Sequence, residues 1–356
     1  KLILLGQPMR GNSLRFKALL APLMRPRLKR LILAFFMLTL FSPAIVARVR
    51  EVSVLPKDPV QGEDVKIIVK AEPNERFTIG ISYEKNVPVV NGTYEYAVSG
   101  VLIPLTPNRF IIKALGVKNL HVSVKVFLIW ITRSADASKG VATMSQSNMP
   151  PGKYDAIAYG EALENVSLVK LEVTAFVTVN ADRDGYFEYS YNTAIIPPGT
   201  FRVTVGKLTL NVSLAEPTPL TLSQLPEDRA LNVLKNIDVK KAIGLLSQMP
   251  ETEAAFLFRN LPLERRVRIL EESARLNVTH EIAGVLVEMA PNEAAQLILR
   301  MRELAAARIV EEAALIDFEK TKEIIRIANL VNPMKVLLIL TLMSDVELAN
   351  SLWLTP

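Results

Sequence analysis

Cysteine is absent from the 356 residues, and histidine occurs only twice. Disulfide bonds and thiolate metal sites are therefore excluded. His121 and His280 are far apart in the sequence and have no ligand-type companion at metal-binding spacing, so a surface or core position is favoured for both. The motifs of serine hydrolases, zinc proteases and phosphate-binding loops are also missing. We predict that the protein is not an enzyme. The alternative is a pair of carboxylates that hydrolyses glycosides, because the distance between two such carboxylates depends on the fold.

The chain has no excess of basic charge outside its first 47 residues. The whole chain has a formal net charge of +6, with 42 Lys and Arg against 36 Asp and Glu. Residues 1–47 contain eight of the basic residues and none of the acidic ones, so the rest of the chain has 34 basic and 36 acidic residues. This distribution predicts no nucleic-acid partner, because such partners require a basic surface.

Residues 24–47 have the three parts of a secretory signal. Basic residues follow Met24, an uncharged apolar run extends from Leu31 to Phe41, and the small residues after it offer a cleavage region. The segment is also close to the lower length limit of a membrane span, so an uncleaved anchor is the alternative. Residues 1–23 are interpreted as an upstream extension that is either not native or disordered.

Four Asn-x-Ser/Thr sequons follow this segment. They begin at Asn91, Asn165, Asn211 and Asn277. Each motif alone is a weak signal, but four of them behind an export signal predict a glycosylated chain on the outside of the cell. The alternative is that most of them carry no glycan. Abundant Glu, Lys, Arg and Ile lead us to expect an archaeal cell-surface protein.

The middle of the chain is predicted to form two β-sandwich modules, residues 49–133 and 134–216. Short runs of β-branched and aromatic residues alternate with turns rich in Pro, Gly and Asn, and one long strand is predicted for residues 120–131. The turns Pro150-Pro151-Gly152 and Pro197-Pro198-Gly199 are each followed by an aromatic residue two positions later. These pieces resemble the immunoglobulin-like modules of archaeal surface proteins, and the resemblance implies a scaffold or an adhesive spacer.

One motif in the second module has the spacing of a calcium site. Asn180, Asp182 and Asp184 provide oxygen ligands at the first, third and fifth loop positions, and Gly185 permits the sharp turn at the sixth. The twelfth position is Tyr191 instead of a bidentate Glu. Because strand residues flank the motif, a hairpin turn is favoured over calcium binding. Apart from calcium here, or magnesium bound by acidic helix residues, no cofactor is predicted.

The C-terminal region, residues 225–356, repeats every twelve residues. The first four units open at Leu225, Ile237, Met249 and Leu261. Each unit has apolar residues at the eighth and ninth following positions, and Pro and Glu near its start are typical of the first turn of a helix. The register slips after Leu270 and returns at Met289 and Met301. A helix of two turns does not bury its apolar face alone, so successive units must stack.

We therefore predict an all-α, right-handed superhelix of short helices, joined to the β region by a linker at residues 217–224. The segments Leu246 to Ala255, Asn260 to Glu264 and Met289 to Ala295 resemble the N-terminal superhelical domain of MgtE-type magnesium transporters and the helical repeats of the flagellar switch protein FliG. The resemblance implies the fold and a tendency to protein contacts. The transporter domain takes part in magnesium-dependent gating, but the sequence does not contain the segments with which it works, so gating is not predicted.

Together these features predict a non-enzymatic, exported cell-surface glycoprotein whose β-sandwich stalk presents a helical scaffold for protein interactions. The expected partners are other envelope proteins or surface glycans, in an envelope or adhesion role. The membrane is contacted through the N-terminal segment if it is not cleaved, or through an anchor beyond Pro356, where we expect the chain to continue. The alternative is a membrane-anchored divalent-cation sensor or transport accessory.

Overall fold

The computed structural model describes residues 49–104 and 107–353, and structural statements refer to these residues. In them, thirteen antiparallel strands are followed by eleven helices, so the predicted combination of a β region and a helical region is confirmed. The upstream extension, the signal or anchor segment and the last three residues lie outside the described part. Within that part, no helix is both long and apolar enough to cross a membrane.

The strands alternate buried and exposed residues, as the two-residue period of a β-strand requires. They are β1 (Val49–Leu55), β2 (Asp64–Ala71), β3 (Arg76–Val90), β4 (Thr93–Ile103), β5 (Asn108–Leu115), β6 (Asn119–Val126), β7 (Ile129–Asp136), β8 (Val141–Ser147), β9 (Gly152–Glu161), β10 (Leu168–Asn180), β11 (Tyr186–Asn192), β12 (Gly199–Val205) and β13 (Leu208–Leu214). The two Pro-Pro-Gly turns lead directly into β9 and β12.

Ten of these strands form one continuous sheet, and β1, β2 and β11 form a smaller one. The large sheet folds back at the β3–β4 hairpin, which produces two facing layers ordered β7-β6-β9-β4 and β3-β10-β5-β8. β12 and β13 join the first half of β3. β3 and β10 pair from Arg76 to Pro88 and are long enough to contribute to both parts of the β region.

Two apolar cores hold the β region together. The first lies between the small sheet and the strands β3, β12 and β13, and includes Ile67 and Phe201. The second lies between the two facing layers and includes Leu120 and Leu171. Each core takes residues from both predicted modules, and the expected boundary after residue 133 falls within β7. The second core is therefore built from a stretch of chain inserted between the two halves of the first.

The segment predicted as one strand, residues 120–131, is a hairpin. β6 ends at Val126, a two-residue turn of Phe127 and Leu128 follows, and β7 begins at Ile129. The prediction of a single strand is wrong because the run contains no Gly, Pro, Asn or Asp to mark a turn. The turn instead places a bulky aromatic residue at a φ of +55°.

The helices are α1 (Pro219–Gln224), α2 (Glu227–Asn236), α3 (Val239–Leu246), α4 (Glu251–Asn260), α5 (Leu263–Leu276), α6 (Thr279–Val287), α7 (Pro291–Arg300), α8 (Glu303–Ile316), α9 (Phe318–Val331), α10 (Pro333–Thr341) and α11 (Val346–Trp353). The positions that the twelve-residue repeat marks as apolar are buried, for example Leu246, Phe258 and Ile298. α1 lies within the segment predicted as a linker, and its Leu222 is buried.

Several helices pack closely on the helix two positions further along, as α2 does on α4, α3 on α5 and α6 on α8, and α5 packs on α8, three positions along. Polar contacts link helices three positions apart. Glu271 of α5 accepts a hydrogen bond from the backbone N–H of Arg302, at the start of α8, at 2.7 Å. Glu311 of α8 accepts one from Asp345, just before α11, at 2.8 Å. These carboxylates cap the positive ends of helices, which gives the stack a three-helix repeat.

The helical region is fixed to the β region by a polar junction around the turn before β2. The carboxylate of Glu63 is buried and pairs with Arg229 of α2, with Nε–Oε1 and Nη2–Oε2 distances of 2.6 and 2.8 Å. Asn236 donates to the carbonyl of Gly62 at 3.1 Å, and Val60 packs into the helical core. Gly62 has a φ of +103°, and a Cβ there would lie 3.0 Å from the carbonyl oxygen of Val233. The close approach therefore requires glycine.

Candidate ligand cavity

A cavity of about 330 Å³ lies inside the second core, between the two facing layers of the β region. Strand alternation directs every second side chain of each layer inward. Several of these inward side chains are small or branched, including Ala156 and Ala158 of β9 and Val173 and Ala175 of β10. The space left between the layers is at the lower end of the volumes of small-molecule sites.

The wall of the cavity is apolar apart from a few side chains, and four of the polar ones are the tyrosines Tyr83, Tyr96, Tyr154 and Tyr191. Burial raises the pKa of Tyr83, Tyr96 and Tyr191, because the charged phenolate is disfavoured away from water. These tyrosines are therefore neutral near pH 7 and add no charge to the wall. An apolar molecule inside the cavity therefore covers few polar groups that would lose their hydrogen bonds to water.

The remaining polar residues of the lining lie along the edge strands of the two layers. Arg133 is on β7, Gln146 is on β8, and Asn148 directly follows β8. Arg133 and Asn148 are exposed, so the cavity reaches solvent on this side. The arrangement fits a ligand with an apolar body inside and a small polar or anionic end at the opening.

The β6–β7 hairpin continues the wall of the cavity outward. Val126 and Ile131 belong to the lining, whereas the four residues between them project beyond it. Sequence reasoning missed the cavity, because its lining is drawn from nine strands and their loops across the β region. The signal that was available is the run from Val124 to Ile131, which is apolar on both faces of a strand except at Lys125.

The predicted calcium ligands Asn180, Asp182 and Asp184 lie at the turn between β10 and β11. These strands belong to different sheets, so the turn connects two layers and is not the hairpin that we expected. Oδ1 of Asp182 accepts hydrogen bonds from the backbone N–H groups of Asp184 at 2.9 Å and Tyr186 at 2.7 Å. This oxygen stabilises the turn. Over residues 49–104 and 107–353, no three His, Asp or Glu side chains are grouped to hold a metal ion.

The four sequon asparagines are all exposed, which is a condition for glycosylation. Asn91 is in the β3–β4 turn, Asn165 precedes β10, Asn211 is on β13, and Asn277 follows α5. The side-chain oxygen of Asn277 also accepts a hydrogen bond from Arg308 at 3.2 Å.

The two histidines lie in different regions. Nδ1 of His121 is 2.7 Å from the hydroxyl of Ser134, and its ring lies against Tyr159 with centroids 5.1 Å apart. His280 is exposed, with Nδ1 3.1 Å from a carboxylate oxygen of Glu312. Neither residue lines the cavity.

No family model matches the chain, and no curated protein matches it. The resemblances to the MgtE-type superhelix and to immunoglobulin-like modules therefore stay predictions.

Proposed function

We propose that the protein is an exported, non-enzymatic binding protein of the cell surface, whose β region holds a small apolar molecule. The observation that supports this most is the cavity of about 330 Å³ between the two layers of the β core. Leaving such a space empty costs stability, because its lining side chains lose packing contacts. A ligand with one hydrocarbon chain and a polar end would restore these contacts and place its polar end near Arg133.

We propose a scaffold role for the helical region, in contacts with envelope proteins or surface glycans. Alternate helices pack on one another as in a superhelix, which supports the MgtE-type fold with a right-handed turn as the finer assignment. Facing antiparallel layers support an immunoglobulin-like β region, whereas the insertion of one core into the other differs from two consecutive modules. The junction at Glu63 would keep the two regions in a fixed orientation.

Filling the cavity tests the binding role. Ala156→Phe adds an aromatic ring to a residue of the lining. Ala97→Phe is the matched control, because Ala97 is exposed on the neighbouring strand β4 and lies outside the cavity. With the fluorescent probe 1-N-phenylnaphthylamine, we expect Ala156→Phe to bind at least about tenfold more weakly than the wild type, because the apolar area available to the probe is lost. Circular dichroism checks that both variants fold. Equal binding by the two variants would contradict the proposal.

Export is tested separately by mass spectrometry of peptides from the native protein. Glycan on at least one of Asn91, Asn165 and Asn211 supports an exported glycoprotein, because these exposed sequons lie in loops and on an outer strand. A cytosolic protein with all of its sequons unmodified would contradict export.

A further inference from the structure

The tip of the β6–β7 hairpin is a continuous exposed apolar segment. We call residues Phe127 to Ile131 the apolar tip. From first to last, their exposed fractions are 94, 90, 64, 46 and 49 %. Five consecutive large apolar side chains at this exposure are unusual on a soluble surface, where such residues occur singly.

The apolar tip is exposed on both faces of the hairpin. Ile129 and Ile131 share the face that continues the cavity wall, whereas Trp130 lies on the opposite face across from Lys125. A groove on a protein partner would cover one face and leave the other in water. A medium that surrounds the hairpin covers both faces, and the hydrocarbon boundary of a lipid bilayer is such a medium.

The residues that flank the apolar tip match the chemistry of a membrane interface. Lys125 and Arg133 are on the two strands of the hairpin, on opposite faces. Trp130 is level with Lys125 and nearer to the end of the hairpin than Arg133, and tryptophan is enriched at membrane interfaces. The hairpin has these two cations against one acidic residue of its own, Asp136 at the far end of β7, and Asp155 of β9 is the register partner of Lys125. Anionic headgroups complement this charge.

We propose that the apolar tip inserts into the interface of a bilayer that contains anionic lipids, so that the cavity opening lies at the lipid surface. This inference rests on the proposed function in one respect: the cavity would exchange its ligand directly with the membrane. A second copy of the chain is a poorer occupant, because five residues fall far short of the roughly 20–30 residues per side of a stable protein interface.

The fluorescence of Trp130 reports on this insertion. The chain has two tryptophans, so Trp353→Phe leaves Trp130 as the only one. Full-length Trp353→Phe protein is mixed with phosphatidylcholine vesicles, with or without phosphatidylglycerol, and with vesicles whose acyl chains are brominated. We expect a blue shift and quenching by the brominated chains, both stronger with phosphatidylglycerol. Because the readout is local to Trp130, lipid contacts made elsewhere in the chain do not contribute.

Two double variants in the same background identify the residues responsible. Phe127→Ser with Leu128→Ser is expected to weaken vesicle binding, measured by the Trp130 shift, at least about tenfold. Leu330→Ser with Val331→Ser is the matched control, since these residues are 78 and 71 % exposed at the end of α9 and should not alter the shift. Unquenched Trp130 in the presence of anionic vesicles would overturn the proposal. A shift that depends on protein concentration without vesicles would overturn it in favour of self-association.

The cavity variant separates this inference from the proposed function. Ala156→Phe is expected to lose the soluble probe and keep the Trp130 shift with vesicles, whereas the Phe127→Ser, Leu128→Ser protein is expected to do the reverse. Loss of both properties in either variant would contradict the assignment of docking to the apolar tip and of binding to the cavity.

Discussion

Phe127 occupies a turn position at which glycine is usually found. Of the two residues between β6 and β7, only the first has a positive φ, which is the pattern of a type II′ turn. A side chain with a Cβ is strained at this φ, and an aromatic ring that is 94 % exposed also gains nothing from packing. Residues that are unfavourable for folding in two independent ways are concentrated at functional sites.

Relieving this strain should stabilise the protein. Phe127→Gly is expected to raise the free energy of unfolding by about 0.5–1 kcal/mol, because glycine adopts a positive φ without strain. The gain is not larger because glycine loses more conformational entropy on folding than other residues. Phe127→Ala is the control, since it removes the ring but keeps the Cβ. Urea unfolding measures both. An equal gain in the two variants would show that the backbone at this residue is not strained.

At the scale of elements, the helices were more predictable than the strands. The apolar positions of the twelve-residue repeat lie within a few residues of one another, so a local pattern is enough to predict the buried face of each helix. Repeat positions such as Leu246 and Ile298 are buried, as expected. The single strand predicted for residues 120–131 was wrong, because the turn residues Phe127 and Leu128 of the β6–β7 hairpin have low turn propensity.

Strand pairing and the cavity were not predictable from local patterns. β3 pairs with β10, about ninety residues later in the chain, and the second core forms between layers that the sequence alone does not bring together. A cavity depends on the volumes of side chains from both layers, such as Ala156 of β9 and Val173 of β10. No spacing rule within one strand contains that information. The calcium-loop spacing at Asp182 likewise did not indicate that its oxygen would accept two backbone hydrogen bonds.

At the scale of the whole molecule, the junction at Glu63 determines whether the two regions act as one body. Its carboxylate is buried, and it accepts hydrogen bonds from Arg229 and from the backbone N–H of Val60 at 2.6 Å. The hydrogen bond that Arg229 donates to Glu63 raises the pKa of Arg229, and the guanidinium is charged at any pH in which the protein folds. Removing one partner of such a pair leaves a charge that has lost its solvation.

Glu63→Gln is therefore expected to destabilise the protein by about 2–3 kcal/mol. This is somewhat less than the cost of breaking a fully buried ion pair, because Arg229 is partly exposed. We also expect the β and helical regions to unfold in separate steps in this variant. Glu188→Gln is the matched control: it breaks an exposed ion pair with Lys66, 2.9 Å apart, and should change little. Differential scanning calorimetry measures both. Equal effects of the two substitutions would contradict a structural role for the junction.

Ligand binding in the cavity is the central claim, and methyl NMR of methionine tests it most directly. Met144 and Met149 line the cavity, whereas Met249, Met289 and Met301 are buried in the helical core and serve as internal controls. Titration of the methyl-labelled full chain with decanoate is predicted to shift the Met144 and Met149 signals until one ligand is bound per chain. The signals of the helical methionines are predicted to stay in place. Unchanged Met144 and Met149 signals, or equal shifts of all five, would contradict the claim.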